Sequence, residues 1–189
     1  MGRKSTVQDA DLLQRICDAF RAAGYEGATL ATLSLATGLQ KASLYHRFPG
    51  GKEQMAAEVL NMTGEWLGKE VLQPLQGSGT PRARLEGMVA RLDQFYEGGR
   101  KACLLNLMSL GQPCGGPFDA TIHSLMTAWV DALSRLLIET GIEPDLARGR
   151  AEQALISLQG SLIVSRGMGT QRPFQDFLAN LPDTMLGTP

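Results

Sequence analysis

"TLATLSLATGLQKASLYHRF", residues 29–48, puts a lysine, a serine, a tyrosine, a histidine and an arginine on one very short helix, where a core helix has no use for them. Thr29 is a natural N-cap for "LATLSLA", because its hydroxyl accepts from the free amides of the first turn. Gly38 permits the sharp bend that carries "QKASLYHRF" across that helix. Two short helices around a glycine-containing turn form a helix-turn-helix. At about 100° per residue, with Leu44 turned to the core, Phe48 falls about 40° away, Ala42 and His46 fall near the opposite side, and Ser43 and Tyr45 lie on the flanks. Leu33 and Ala36 on the preceding helix are expected to face inward and anchor Leu44 and Phe48. The face left on display fits a DNA major groove, where phosphate contacts set register and base-edge contacts set sequence. The alternative is the ordinary solvated face of a core helix.

The segments around it are helical too. Leu12, Leu13, Ile16, Cys17 and Phe20 form a helical stripe in "DADLLQRICDAFRAAGYEG", which Gly24 is expected to end. After "PGG", Met55, Val59, Met62 and Trp66 recur at four-three-four spacing in a helix that runs to Pro74, and "QGSGTP" reads as a linker. Beyond Pro81 the periodicity predicts helices at 81–97, 101–110, 117–140, 144–166 and 173–180, with "GQPCGGP" between the second and third. Gly141 is placed as a C-terminal cap, and Pro144 opens the next helix, where no amide donor is needed. No alternating strand pattern is found. The expected class is all-α, with a DNA-binding domain at 1–52 and a larger domain at 53–189.

With 43% hydrophobic and 20% charged residues, the chain of 189 has an ordinary globular composition. No run of about 18 apolar residues appears, and "MGRKSTVQDADLLQ" turns polar where a secretory signal needs its apolar segment, so a cytoplasmic protein with no membrane partner is expected. Cys17, Cys103 and Cys114 are too few and scattered for a disulfide framework or a zinc spacing, and His123 reads as a lone polar residue, so no metal and no cofactor are expected. The net charge of -1 hides an asymmetry: residues 1–52 carry seven Lys or Arg against four Asp or Glu. That bias permits a nucleic-acid partner without requiring one. Arg3 and Lys4 read either as an arm reaching an adjacent groove or as a solvated terminus.

The stretch 27–55, "GATLATLSLATGLQKASLYHRFPGGKEQM", resembles the DNA-binding signature of TetR-type transcriptional regulators, with Thr29, Gly38, Leu44-Tyr45 and Phe48 in register. Leu33, Ser34, Thr37 and Leu39 stand where Ile, Ala, Ala and Val are typical, which adds two hydroxyls. "PGGKEQ" is one residue longer than the usual turn, a form resembling the LmrA/YxaF branch. The resemblance implies that Lys41, Ala42 and Ser43 face bases, and Gln40 at the helix start is counted with them as DNA-binding. It implies that Tyr45 and His46 contact phosphate or adjacent base edges, and that Thr29 and Lys52 contact phosphate at helix ends. Free amides at helix N-termini agree with the last role.

In such proteins the larger half binds a ligand and forms a homodimer. In 144–166, Ala151, Leu155, Leu158 and Leu162 make one stripe, and Ala154, Ser157, Ser161 and Val164 make a second. Ile122, Leu125, Trp129, Leu133 and Leu136 do the same in 117–140, so two copies of this pair are expected to form a four-helix bundle, against the alternative of a purely internal core. Met62, Trp66, Phe95, Tyr96, Cys103, Leu107, Met108 and Trp129 are the candidates for a site that takes a small hydrophobic or aromatic effector, with part of the set expected to be plain core. Cys103 in "KACLLNLMSLG" also resembles a cysteine of electrophile-sensing relatives, with Arg100 and Lys101 nearby; the alternative is a buried, unreactive thiol.

The function expected is a ligand-responsive repressor that binds a palindromic double-stranded DNA operator as a dimer, with a Cys103 redox sensor as one alternative. An all-α enzyme or protein-binding module is the alternative of another class. It lacks paired carboxylates, a nucleophile with a base partner and a phosphate-binding glycine loop.

Overall fold

The computed structural model describes residues 9–109 and 116–187. Its main helices are α1 (Asp9–Gly27), α2 (Leu30–Thr37), α3 (Lys41–Arg47), α4 (Gly51–Trp66), α5 (Pro81–Phe95), α6 (Leu104–Ser109), α7 (Asp119–Glu139), α8 (Pro144–Met168) and α9 (Arg172–Leu186). No strand occurs among the described residues, so the class is all-α. None of the described helices is long and apolar enough to cross a membrane. Arg3, Lys4, Cys114 and most of "GQPCGGP" lie outside the described residues. Two compact units result: one takes the chain up to Thr63 with Leu104–Asp119, the other takes Gly64–Cys103 and the chain from Ala120 onward. Compactness thus divides the chain inside α4, whereas the expected boundary after Lys52 stands near that helix's start.

In the first unit, α1 buries Leu12, Ile16, Cys17 and Phe20. Gly24 interrupts α1 with φ 69 and ψ 174 instead of ending it, and the helix resumes to Gly27. Thr29 caps α2 as expected, accepting from the Thr32 amide at 3.2 Å, and Gly38 ends it in the left-handed region at φ 71. Leu33, Leu44 and Phe48 are fully buried. Ala36 departs from expectation and is exposed, and Thr37 takes the inward place. The reason is local: Thr37 Oγ1 donates to the Leu33 carbonyl at 2.8 Å and accepts from the Leu39 amide at 3.3 Å, which holds residue 37 beneath the turn.

In the second unit, the end of α4 passes into a π-helical turn, Leu67–Leu72, and a last helical turn, Gln73–Leu75, where the periodicity had predicted one uniform helix. Pro74 has no amide to donate, so the α spacing of the ladder loosens as the chain approaches it. Thr80 caps α5 by accepting from the Ala83 amide at 3.2 Å, with Pro81 in the first turn. Arg84, itself mostly buried, donates to the Leu75 carbonyl at 2.7 Å and pairs with Glu139, fastening the linker and the end of α7 to α5. Gly141 (φ 87) and Pro144 sit as expected between α7 and α8. The last helix is longer than the expected 173–180, because Phe174, Leu178, Leu181 and Met185 carry its buried stripe on toward Leu186.

Candidate nucleic-acid interface

The turn between α2 and α3 is stitched by the two hydroxyls that distinguish it from the family pattern. Ser34 Oγ donates to the Leu39 carbonyl across the turn, and Thr37 bonds to both sides of it. With Leu44 and Phe48 sunk into the core, α3 stands as a fixed rod. Gln40, Lys41, Ala42, Ser43, Tyr45 and His46 are all exposed on it, which is the display the helical geometry predicts. Arg47 is turned back on its own unit: it pairs with Glu58 at 3.7 Å, and its guanidinium carbon lies 4.9 Å from the Phe48 ring centroid.

The helix ends beside α3 carry the other expected contacts. Thr29 is exposed, and its hydroxyl is occupied within its own turn by Thr32. Gly51 opens α4 at φ 65, and a Cβ there would lie 3.5 Å from Tyr45 Cε1, so the recognition helix abuts the start of α4. Gln54 reaches back to accept from the Gly50 amide at 2.8 Å. Lys52 is half-buried: its Nζ donates to the Tyr25 carbonyl at 3.0 Å and stands 4.2 Å from the Tyr25 ring centroid. Burial, followed by the negative charges of Glu53 and Glu26, pushes the Tyr25 phenol above its ordinary pKa and keeps it neutral. Tyr25 and Gln54 were not foreseen. Gln54 follows a glycine-rich turn at a spacing a capping search could have used, whereas nothing in the spacing ties Tyr25 to Lys52.

The effector candidates fall into separate groups. Met62, Leu107 and Met108 belong to the first unit, and Trp66, Phe95, Tyr96, Cys103 and Trp129 to the second. In the second unit, Trp66 stacks on Phe95 with centroids 4.0 Å apart and planes 15° apart, and Phe95 meets Tyr96 edge-on at 5.0 Å. The row continues from Tyr96 to Phe174 at 5.8 Å and on to Phe177 at 6.4 Å. Trp129 is buried with an indole N–H that has no hydrogen-bond partner among the described residues, and His123 is exposed on α7. Cys103 is buried and accepts from Gln159 Nε2 at 3.4 Å, while Lys101 pairs with Glu97 at 2.9 Å. This burial matches the alternative of Cys103 as a buried thiol. A groove of about 620 Å³ opens between α8 and α9, with Ile156, Gly160, Pro173, Phe177 and Leu181 among its walls and none of the effector candidates.

A short helix anchored by Leu44 and Phe48, displaying polar residues on its free face and braced by a second helix, defines the class as a helix-turn-helix DNA-binding protein. Residues 12–59 match the family described as bacterial regulatory proteins, tetR family, and residues 81–180 match the transcriptional regulator LmrA/YxaF-like C-terminal domain. The chain belongs to the TetR family of transcriptional regulators, in its LmrA/YxaF-like branch. It is a DNA-binding regulator and not an enzyme. It is similar to the HTH-type transcriptional regulator LmrA of Bacillus subtilis, with 24% identity over 172 residues covering 88% of this chain and 90% of that protein. Its fold is similar to a TetR transcriptional regulator from Legionella pneumophila, with a TM-score of 0.81, 15% identity and coverage of 95% and 98%. It is also similar to the regulator CifR in complex with 26-bp double-strand operator DNA, with a TM-score of 0.73, 21% identity and coverage of 99% and 100%.

Proposed function

We propose that this regulator is a repressor that binds a palindromic operator as a homodimer and is released by a small hydrophobic or aromatic effector. The observation that carries the reading is the outward display of Gln40–Ser43, Tyr45 and His46 beside fully buried Leu44 and Phe48. Lys41, Ala42 and Ser43 read bases, Tyr45 and His46 meet phosphate or adjacent base edges, and Thr29 and Lys52 hold phosphates. The cytoplasm is the proposed location, since operator DNA is there.

The dimer face is assigned to α8 and α9 instead of α7 and α8. Ile122, Trp129, Leu133 and Leu136 of α7 are already buried within the chain. On α8, by contrast, Gly149, Gln153, Ile156, Gly160, Ile163 and Gly167 recur at four-three spacing and are all exposed. A side chain on any of these glycines would meet nothing within 4 Å. Ile156 is 62% exposed, and the groove wall from α9 adds Phe177 and Leu181. An exposed seam of glycines and isoleucines, beside a groove that Arg150, Gln153, Asp176 and Asn180 also line, suits a second copy across a two-fold axis, as reading two half-sites of DNA about 34 Å apart requires.

Release is proposed to run through α4. This helix contributes Lys52 to the first unit and Trp66, at its end, to the second. The two are about 21 Å apart along the axis at 1.5 Å per residue. A planar effector that engages Trp66 and Phe95 tilts or freezes α4, and a shift of a few ångströms spoils simultaneous binding of two half-sites. Footprinting the duplex upstream of the protein's own gene tests the reading: a protected, symmetric site is expected, and protection without symmetry would count against the dimer. Linkage requires operator DNA to weaken effector binding by the factor by which effector weakens DNA binding. An effector found by quenching of Trp66 fluorescence should therefore bind less tightly with operator present; equal affinities would remove the α4 mechanism.

A further inference from the structure

We infer that Tyr25 is a positioning residue of the DNA interface, holding the Lys52 ammonium for a phosphate oxygen through its own carbonyl and ring, with Phe118 meeting the ring edge-on. The inference rests on the proposed reading of Lys52 as a phosphate contact. It begins with the break at Gly24. In a regular helix the Tyr25 carbonyl would accept from the amide of Thr29. Here α1 ends at Gly27 and the Thr29 amide donates to the Gly27 carbonyl at 3.0 Å instead. The Tyr25 carbonyl is thereby released to Lys52 Nζ at 3.0 Å, across 27 residues of sequence.

The ring completes the seat. Lys52 Nζ stands 4.2 Å from the Tyr25 centroid, a distance at which the ring face attracts a cation. An ammonium has three N–H donors; the carbonyl takes one, the ring shields a side, and the remainder is left to an anion beyond α4's first turn. The ring is fixed in turn by Phe20, stacked at 6.0 Å, and by Phe118, edge-on at 5.0 Å. Phe118 immediately precedes α7, so the support of the lysine includes the entry to that helix. A lysine held this way loses less side-chain freedom on meeting DNA than one that swings in solvent.

The test is a double-mutant cycle on the full chain, read by anisotropy with the duplex upstream of its own gene and with a random-sequence duplex of equal length. Lys52→Met should weaken binding and flatten the dependence of log Kd on log salt by about 0.9 per protomer, as one phosphate contact is lost. Tyr25→Leu should weaken binding about three- to tenfold when Lys52 is present and should do nothing further in the Lys52→Met background. Tyr25→Phe keeps carbonyl and ring and should behave as wild type. Phe118→Ala should reproduce the Tyr25→Leu loss, again only when Lys52 is present. An equal loss from Tyr25→Leu in both backgrounds would show a purely structural role and overturn the inference. So would a Lys52→Met variant with unchanged affinity and salt slope while Ala42→Glu abolishes binding, a result that leaves the recognition helix intact. If Ala42→Glu also had no effect, the reading of α3 itself would fall, and the positioning role with it.

Discussion

Gly99 stands at φ 96, and a Cβ on it would lie 2.9 Å from the Cβ of Phe174, an atom fixed next to the backbone of α9. Left-handed strain of about 1–2 kcal/mol and overpacking of about 1–3 kcal/mol both oppose a side chain there, so Gly99→Ala should lower stability by about 2–5 kcal/mol, read as a lower urea midpoint. Gly87 makes the contrast: it lies within α5, a Cβ there would meet nothing within 4 Å, and Gly87→Ala should gain about 0.5–1 kcal/mol. Thr37 is the third informative position. Its hydroxyl is buried with three partners, the Leu33 and Ser34 carbonyls and the Leu39 amide, so Thr37→Val, which keeps the shape and removes the bonds, should cost about 1–2 kcal/mol in the same titration. An unchanged midpoint would mean that the hydroxyl does not stitch the turn. From sequence, Ser34 and Thr37 read as mild departures from an alanine pattern; their bonds reach across a turn whose closure no periodicity specifies.

Among the helices, α2 and α3 were legible because each boundary has its own chemical mark: a threonine cap, a glycine in the left-handed region, and an apolar pair four residues apart. The cap at Gly141 and the proline starts at Pro81 and Pro144 were legible for the same reason, whereas the Thr80 cap was hidden in a stretch that reads as a linker. The π-helical turn at Leu67–Leu72 was not, since a change of ladder by one residue leaves the apolar pattern almost intact. The exposed seam of α8 escaped for a different reason. Its stripe was read as two buried faces, but glycine at 149, 160 and 167 removes the side chains that would mark one of them. The aromatic row from Trp66 to Phe177 was only half visible: Trp66, Phe95 and Tyr96 stood out by type, whereas Phe174 and Phe177 join them from a helix far along the chain.

For the molecule as a whole, the proposed assembly and recognition depend on each other. The wild type should sediment as a dimer at twice its 20.4 kDa, and Ile156→Glu combined with Ile163→Glu should yield a folded monomer at micromolar concentration. Two charges on an apolar seam leave nothing to pair with across the axis. Its affinity for a symmetric operator should collapse toward that of a single half-site; a dimer that survived both substitutions would move the interface elsewhere. On the proposed reading, recognition turns on Ala42, an exposed small residue on the free face of α3, opposite the buried Leu44. An acid there would meet phosphates and base acceptors with no donor to answer it, at a cost above the roughly 1–3 kcal/mol of one mismatched contact. The measurement to make is therefore the anisotropy titration of the upstream duplex with wild type and with Ala42→Glu at one salt concentration, with urea midpoints alongside. The wild type should prefer that duplex to a random one, and Ala42→Glu should keep its midpoint and lose the preference. If a folded Ala42→Glu binds the upstream duplex as tightly as wild type, α3 does not face the bases.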